Sequence, residues 1–536
     1  MPAMASSHLP FRRRLRPLAV AAAVALSATF AVACGSDDEQ QASSPTDGPA
    51  TLAPANAIGY AEVLVRPSGD VAEGVETAAR RMLRVQDAGG ELRRLLDEQL
   101  DDEDRGVFTR DVDPFLGDTI GGFLLIESAA QAEDPDGAAV ISVRDRAAAE
   151  RFLDKQASRG ELGERRSYEG VDYWLDEDDA AGGLVGDFLV VGTEAGFRAA
   201  VAASRGRPLA DEDRFTDAVD KLPSDRLAWA YAEPRAIVEL VREQAETDPD
   251  LGAQVGDQLE QQQAQIERAL GNAPLTASLT ARADQVVVDV TSGSAELPAA
   301  GGDGAVALGS LPGAAWAALA TPPLGDQVAE TLRQSGQYDE VARMIRAATA
   351  LDLERDVLGW LGGLGAFVSG TSPLDLGGGV VIGSTDPAAS QRFVARLERF
   401  AGNAGLQTTP TTGAGRGFQI RVPSLPQPIA VIAKDDKVVI GLGVASTRDV
   451  FDPSETLGDS EPGKSALDSL GDGFEPGFVL VPEPMLTLVS ALGLDRDPDF
   501  RSALPYLKAY RSVVAGSRGE DGETTGRLVL NLQDAD

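Results

Sequence analysis

The feature that most constrains this chain is that its body reads twice. Around Phe115 the text is "DVDPFLGDTIGGFLLIES", and around Trp360 it is "DVLGWLGGLGAFVSGTS". Each has a short helical lead-in, stops at aromatic-Leu-Gly, and continues as a Gly-rich strand. Next come "GAAVISVRDRAAAERFLDKQ" and "GGGVVIGSTDPAASQRFVARL", each a strand, an Asp-containing helix start, and a helix carrying Arg-Phe (Arg151-Phe152 and Arg392-Phe393). "GDFLVVGTEAGFRAAV" parallels "DDKVVIGLGVASTRDVF", with strands ending at Gly192 and Gly441. "DRLAWAYAEPRAIVELV" parallels "PGFVLVPEPMLTLVSAL". Pro234 and Pro484 read there as helix starts, because the first helical turn has no N–H partner to lose. Both copies close on paired strands, turning at Ala283-Asp284 and at Asp521-Gly522, the second a strong hairpin signal. The landmarks before those turns stand 241 to 250 residues apart in one order, which reads as an internal duplication.

The pattern within each copy alternates strands with amphipathic helices and predicts an α+β fold: two tandem copies of an antiparallel-sheet-plus-helices unit. The expected divisions are a leader over 1–33, a tether over 34–53, and units over 54–294 and 303–533. "AELPAAGGDGA" (295–305) is the Ala/Gly-rich join. Helical insertions are expected in the first copy at about 71–104 and 234–271, and helices in the second at about 326–349 and 499–509. Two similar halves are also expected to leave a groove between them.

Residue counts narrow the chemistry. The 536 residues contain one histidine, His8, and one cysteine, Cys34, so no internal disulfide is possible. A Ser-His-Asp or Cys-His set has no imidazole beyond Cys34, and His/Cys zinc sites cannot form. None of the six lysines follows a serine by three positions, and no Gly-x-Ser-x-Gly elbow occurs. The Gly-rich stretches lack the Lys-Ser/Thr of a phosphate loop. Residues 1–33 hold four arginines and no acid, leaving 44 basic against 84 acidic residues for the rest. So acidic a surface repels phosphate backbones, and nucleic acid is excluded as a partner.

The leading segment joins a basic "FRRRLRP" to sixteen apolar or small residues, Leu18 to Ala33. That run is short for a permanent membrane span and right for a secretory signal. "AVAC" followed by Gly35 and Ser36 resembles the lipobox of bacterial lipoproteins, departing at Ala31 where that family most often has leucine. The resemblance implies that Cys34 is acylated, becomes the new N-terminus, and attaches the protein to the outer face of the cytoplasmic membrane. The alternative roles for Cys34 are a buried small hydrophobe and a catalytic thiol. The polar stretch after it would serve as a tether with a reach of roughly 25 Å.

"LAPANAIGYAEVLVRPSGD" (52–70), the Leu-Gly-Gly strand regions and the doubled plan resemble a family of uncharacterised bacterial envelope proteins, a domain of unknown function. That resemblance implies an exported location and supplies no catalytic residues. Acidic candidates remain. "DRDPDF" (Asp495, Asp497, Asp499) begins like a calcium loop but has Phe500 in place of its glycine and Tyr506 in place of its glutamate, and Asp101–Asp104 and Asp176–Asp179 are charge runs. Tyr173 and Trp174 are the candidate lining of a ligand groove. The resulting expectation is a non-catalytic, lipid-anchored binding or scaffold protein of the cell envelope, with no cofactor and no metal, carrying a lipid or cell-wall ligand. Its partners would be the membrane and an envelope ligand or protein. The alternatives are a carboxylate-dependent hydrolase of envelope polysaccharide and a transporter-associated solute receptor.

Overall fold

The computed structural model describes residues 47–102, 107–126, 135–160, 162–236, 273–293, 303–349, 351–411, 415–425 and 427–533. The leader, Cys34, most of the tether and the expected helix from 237 to 271 lie outside these residues. The chain divides into two compact units at Ala295/Glu296, each a mixed α+β structure built on an antiparallel sheet.

In the first unit β1 (Gly59–Leu64) is followed by the helices α1 (Gly69–Leu83) and α2 (Ala88–Asp102), then by β2 (Leu116–Leu125) and β3 (Asp136–Val143). After α3 (Arg146–Ser158) come β4 (Glu164–Tyr168), β5 (Val171–Leu175), β6 (Ala180–Val185) and β7 (Phe188–Thr193). Then follow α4 (Glu194–Ala203), α5 (Asp213–Val219), β8 (Ala228–Ala232), β9 (Leu275–Ala281) and β10 (Gln285–Ser292). The sheet order is β4-β5-β6-β7-β3-β2-β1-β8-β9-β10, antiparallel throughout. One face is covered by a core of Leu52, Tyr60, Phe123, Val140, Tyr173, Phe197, Phe215 and Trp229.

In the second unit β11 (Ala315–Pro323) precedes α6 (Gly325–Gln334) and α7 (Tyr338–Thr349), then β12 (Leu361–Ser369), β13 (Gly377–Ser384) and α8 (Pro387–Asn403). Next are β14 (Thr408–Pro410), β15 (Arg416–Ile420), β16 (Ile429–Lys434), β17 (Lys437–Leu442), α9 (Val444–Asp449) and α10 (Glu461–Asp468). The unit ends with β18 (Glu475–Leu480), α11 (Pro482–Ala491), α12 (Pro498–Leu507), β19 (Tyr510–Glu520) and β20 (Glu523–Leu532). Its strand order is β14-β15-β16-β17-β13-β12-β11-β18-β19-β20, again antiparallel. Position for position this is the order of the first unit.

One device recurs where the text first suggested repetition. A single wide helical turn, Phe108–Val112 or Leu353–Val357, leads into the second strand of its unit. In the first, Asp111 accepts from the Val107 N–H at 2.9 Å, from Arg110 Nη2 at 2.8 Å and from Lys155 Nζ at 2.7 Å. In the second, Asp356 accepts from the Asp352 N–H at 3.0 Å and from Arg355 Nη2 at 3.0 Å, and Arg396 Nη1 lies 2.6 Å away. Lys155 and Arg396 lie on the helices α3 and α8, each started by an aspartate cap: Asp145 accepts from Ala148 N–H and Asp386 from Ala389 N–H, both at 2.9 Å. Phe115 meets Phe152 at 5.4 Å and Trp360 meets Phe393 at 5.2 Å between ring centroids. A charged latch and an aromatic pair thus fix helix to turn in each unit.

Three expectations are corrected. The tether does not run to 53: Ala50, Leu52 and Ala53 are buried in the first unit's core, and Leu209 N–H donates to Ala53 O at 2.7 Å. The apolar character of "PATLA" (49–53) overrides the polar stretch before it. The helix after β18 begins at Pro482, so Pro484 falls inside its first turn, where a missing N–H is equally harmless. The helices over 71–104 are not an insertion peculiar to the first copy, since α6 and α7 occupy the same place in the second. The closing hairpin turns where expected, with Asp521 and Gly522 at φ 51° and 79°, the left-handed pair of a tight hairpin.

Candidate functional site

The second unit's sheet is apolar on both faces. On the inner face Phe367, Ala318, Val479, Val514 and Val529 stand opposite one another from β12 to β20, all buried. On the outer face Ile440, Val380, Ala366, Leu319, Phe478, Ala515 and Leu528 form a row across seven strands. The next row is Leu442, Gly378, Val368, Ala317, Leu480, Val513 and Leu530. Neither row contains a side chain able to hydrogen-bond. At the β17 end Ile440 packs into the cluster of Val394, Phe418 and Val438 under α8. Farther along, Val380 is 41 %, Leu319 43 %, Val368 37 % and Leu528 36 % exposed. Antiparallel sheets usually put polar residues on an open face. An open face of Val, Leu and Phe instead leaves apolar surface in water, at about 25 cal/mol for each Å², and marks an interaction surface. Chemically it offers dispersion and hydrophobic contact only.

The first unit places its unusual chemistry on the opposite face. Here Glu62, Trp229, Ser278 and Asp289 stand in register across β1, β8, β9 and β10, directed at the core. Ser278, Asp289 and the neighbouring Thr276 and Thr280 are buried. Glu62 is half-buried, and its Oε2 accepts from the Tyr60 hydroxyl at 2.6 Å. Across the sheet lies Gly121, where a Cβ would come within 2.6 Å of that hydroxyl, so the glycine makes room for the pair. Burial pushes the Glu62 carboxyl above its usual range, against the hydrogen bond from Tyr60, the charge of Arg226 and the hydrogen bond with Trp229. Burial likewise raises Tyr60 well above its ordinary value, reinforced by Glu62. The Arg226 guanidinium sits 5.6 Å from the Trp229 ring centroid, and its Nη1 donates to Pro223 O at 2.9 Å. A carboxyl so placed can hold or release a proton nearer neutral pH than a surface glutamate.

Tyr173 and Trp174 are neighbours on β5 and therefore point to opposite faces. Tyr173 is buried, stacked on Phe197 at 4.8 Å, with its hydroxyl donating to Glu194 Oε1 at 2.5 Å; Trp174 is half-buried on the other side. The two do not line one surface. Asp497 caps α12, accepting from the Asp499 N–H at 2.9 Å and the Phe500 N–H at 3.2 Å, which accounts for that acidic run. Asp176 closes a turn by accepting from the Asp178 and Ala180 N–H groups. Among the described residues no group of three or more His, Cys, Asp or Glu side chains could hold a metal ion, and no helix is long and apolar enough to cross a membrane. A cleft of about 420 Å³ beside α7 is lined by Tyr338, Arg343, Arg346, Asp352 and Glu354. Most of its polar groups are already engaged: Arg346 pairs with Asp352, Glu354 accepts from Tyr338 and from Arg333 at 3.0 Å, and Arg343 Nε donates to Asp339 O at 3.2 Å.

Sequence reading missed both the outer apolar face and Glu62. The signal was present for each: β11, β12 and β18 are apolar at successive positions rather than alternately, and a lone glutamate interrupts "GYAEVLV".

A family model described as "Protein of unknown function (DUF3352)" matches residues 18–473. Comparison with curated proteins gives no match. A solved structure titled "Structure of crystal form III of TP0453" aligns at 14% identity and a TM-score of 0.24, over 46% of this chain and 79% of that one. A likeness that slight carries no argument.

Proposed function

The chain belongs to the DUF3352 family of proteins of unknown function, and from that premise we propose that it is a non-catalytic, lipid-anchored binding protein of the bacterial cell envelope. Its ligand is apolar and lipid-like, and it lies on the outer sheet face of the second unit. The observation that carries this reading is the pair of side-chain rows across seven strands, without a polar side chain, with Val380, Leu319, Val368 and Leu528 open to water. The lipobox-like "AVAC" supports acylation of Cys34 and export to the outer face of the cytoplasmic membrane. The shared ten-strand order and the matching Asp111 and Asp356 latches support descent of the two units from one duplicated unit.

The test is binding of a fluorescent long-chain fatty acid to the full chain in detergent-free buffer. Saturable binding that falls at least tenfold in Leu319→Asp and Val368→Asp is the expected result. Binding that is absent, or unchanged in both variants while they stay folded, overturns the reading. Anchoring is checked separately: Cys34→Ser should move the protein from the membrane fraction to the soluble fraction, and a variant that remains anchored and normally processed refutes it.

A further inference from the structure

The Glu62 carboxyl of the first unit has no counterpart in the second, where Ala320 stands opposite Gly365 as Glu62 stands opposite Gly121. The fold therefore does not require a glutamate there, and the groups around it say what it does. On its own strand Tyr60 donates to it; β2 contributes only Gly121; β8 contributes Trp229. The turn Pro49–Thr51, whose Pro49 Cβ lies against Gly121, carries no ionisable side chain. The strap joining α5 to β8, residues 220–227, brings in Arg226 and Asp220, whose charge acts on Arg226 together with that of Glu62. Arg226 Nε is buried without a hydrogen-bond partner, so the guanidinium is held by Pro223 O, by the face of Trp229, and by the charges of Glu62 and Asp220. Beside Arg226 in the same strap, Asp225 is tied to Arg282 of the β9–β10 turn at 2.9 Å.

We infer that Glu62 is a proton-operated latch for the strap 220–227: ionised, it holds Arg226 against Trp229, and neutral, it lets the strap loosen. Glu62 is the anion on the sheet side of Arg226, and its proton comes from and returns to solvent. Loss of that charge leaves Arg226 partly buried, with the charge of Asp220 alone left to offset it. Placement of the carboxyl among aromatic rings moves the transition above the range of an exposed glutamate.

The experiment is amide hydrogen exchange on the full chain at pH 7.5 and pH 5, corrected for the intrinsic pH dependence of exchange. Peptides spanning 220–230 report the strap, and those spanning 470–480, whose Gly477 lies against Ala320, are the internal control. In the wild type, protection of 220–230 should fall about tenfold on acidification, the scale of one charge interaction at a partly buried site, while 470–480 does not change. In Glu62→Gln and in Arg226→Gln it should be low at both pH values. Glu62→Ala, the residue the second unit already accommodates, replaces the glutamine variant if that one does not fold. Unchanged protection of the wild-type strap, or a wild-type pH response in the Glu62 variant, overturns the inference.

Discussion

Four register positions distinguish the two units. Starting from Phe123 and Phe367 on the neighbouring strands, along β1, β8, β9 and β10 the first reads Tyr60, Tyr231, Thr276, Thr291; along β11, β18, β19 and β20 the second reads Ala318, Val479, Val514, Val529. The outer faces contrast as well. Around Ala61 the first unit carries Ala139, Gly122, Ala230 and Ala277, while around Leu319 the second carries Val380, Ala366, Phe478, Ala515 and Leu528. One strand order thus supports a polar inner strip with a small-residue outer face, and an aliphatic inner row with a large-residue outer face. Neither pattern is needed by the fold, so each is available to function.

Exchanging the inner rows is the severest way to break this contrast. Ala320→Glu puts a carboxyl opposite Gly365 and against the second unit's core, with Ala318 where the first unit has the Tyr60 donor, and should cost about 3 kcal/mol. The reverse change, Glu62→Ala, removes the acceptor of one tyrosine hydroxyl and should cost about 1–2 kcal/mol. Urea denaturation of the full chain, with hydrogen exchange to assign each unit, measures both. Equal costs would mean that the surroundings of the two positions do not differ in the way described.

The latches should resist distinction instead. Asp111 and Asp356 are nearly buried and accept the same kind of bonds, so Asp111→Ala and Asp356→Ala should each cost about 2–3 kcal/mol, discounted from a fully buried pair because Lys155 and Arg396 are partly exposed. Both carboxyls are held far below the usual range, chiefly by hydrogen bonds from Arg110 and Arg355. A folded-state pKa that is lowered gives stability present above the unfolded value and lost as pH falls through the folded one. Each unit should therefore lose this contribution only in strong acid, below about pH 4, and its alanine variant should show a shallower acid unfolding curve. A variant that unfolds in acid as the wild type does would remove the latch from the account.

How much of this the text disclosed follows from what each signal encodes. Repeated aromatic-Leu-Gly stops, Asp caps and Glu-Pro strand ends are local, and they located the strands and helices of both units. Which strand neighbours which is not local: that β3 pairs with β7, four strands later in the chain, is settled by pairing over some fifty residues. Side-chain direction also depends on register. "AWAALATPP" does not say that Ala318 is enclosed and Leu319 open, because both are apolar and the strand contains bulges. Tyr173 misled for the same reason, an aromatic pair in text being a front and a back on a strand. Nothing before the register was known could place Glu62 opposite Trp229 and Gly121.

Filling the space that serves Glu62 gives a smaller effect. Gly121→Ala would bring a Cβ within 2.6 Å of both the Tyr60 hydroxyl and Pro49 Cβ, and should cost about 1–3 kcal/mol through displacement of those groups. A drop in the first unit's stability, with the second unit's unchanged, is the expected outcome in the same denaturation experiment. An unaltered first unit would show that the Tyr60–Glu62 pair has room to shift.

The smallest expected effect is the most informative about the proposed ligand face. Val380 and Val381 are consecutive on β13, one outward and exposed, the other fully enclosed. Valine to threonine replaces a methyl by a hydroxyl at nearly constant volume, so it tests polarity rather than packing. Val381→Thr buries an unsatisfied hydroxyl and should cost about 1–3 kcal/mol. Val380→Thr leaves that hydroxyl in water and should change stability by less than about 0.5 kcal/mol, while weakening fatty-acid binding severalfold. Stability and binding would then be read from opposite faces of one strand. A Val380→Thr variant that is destabilised as much as Val381→Thr would make the outer row a covered core face, and the surface on which the binding proposal rests would be gone.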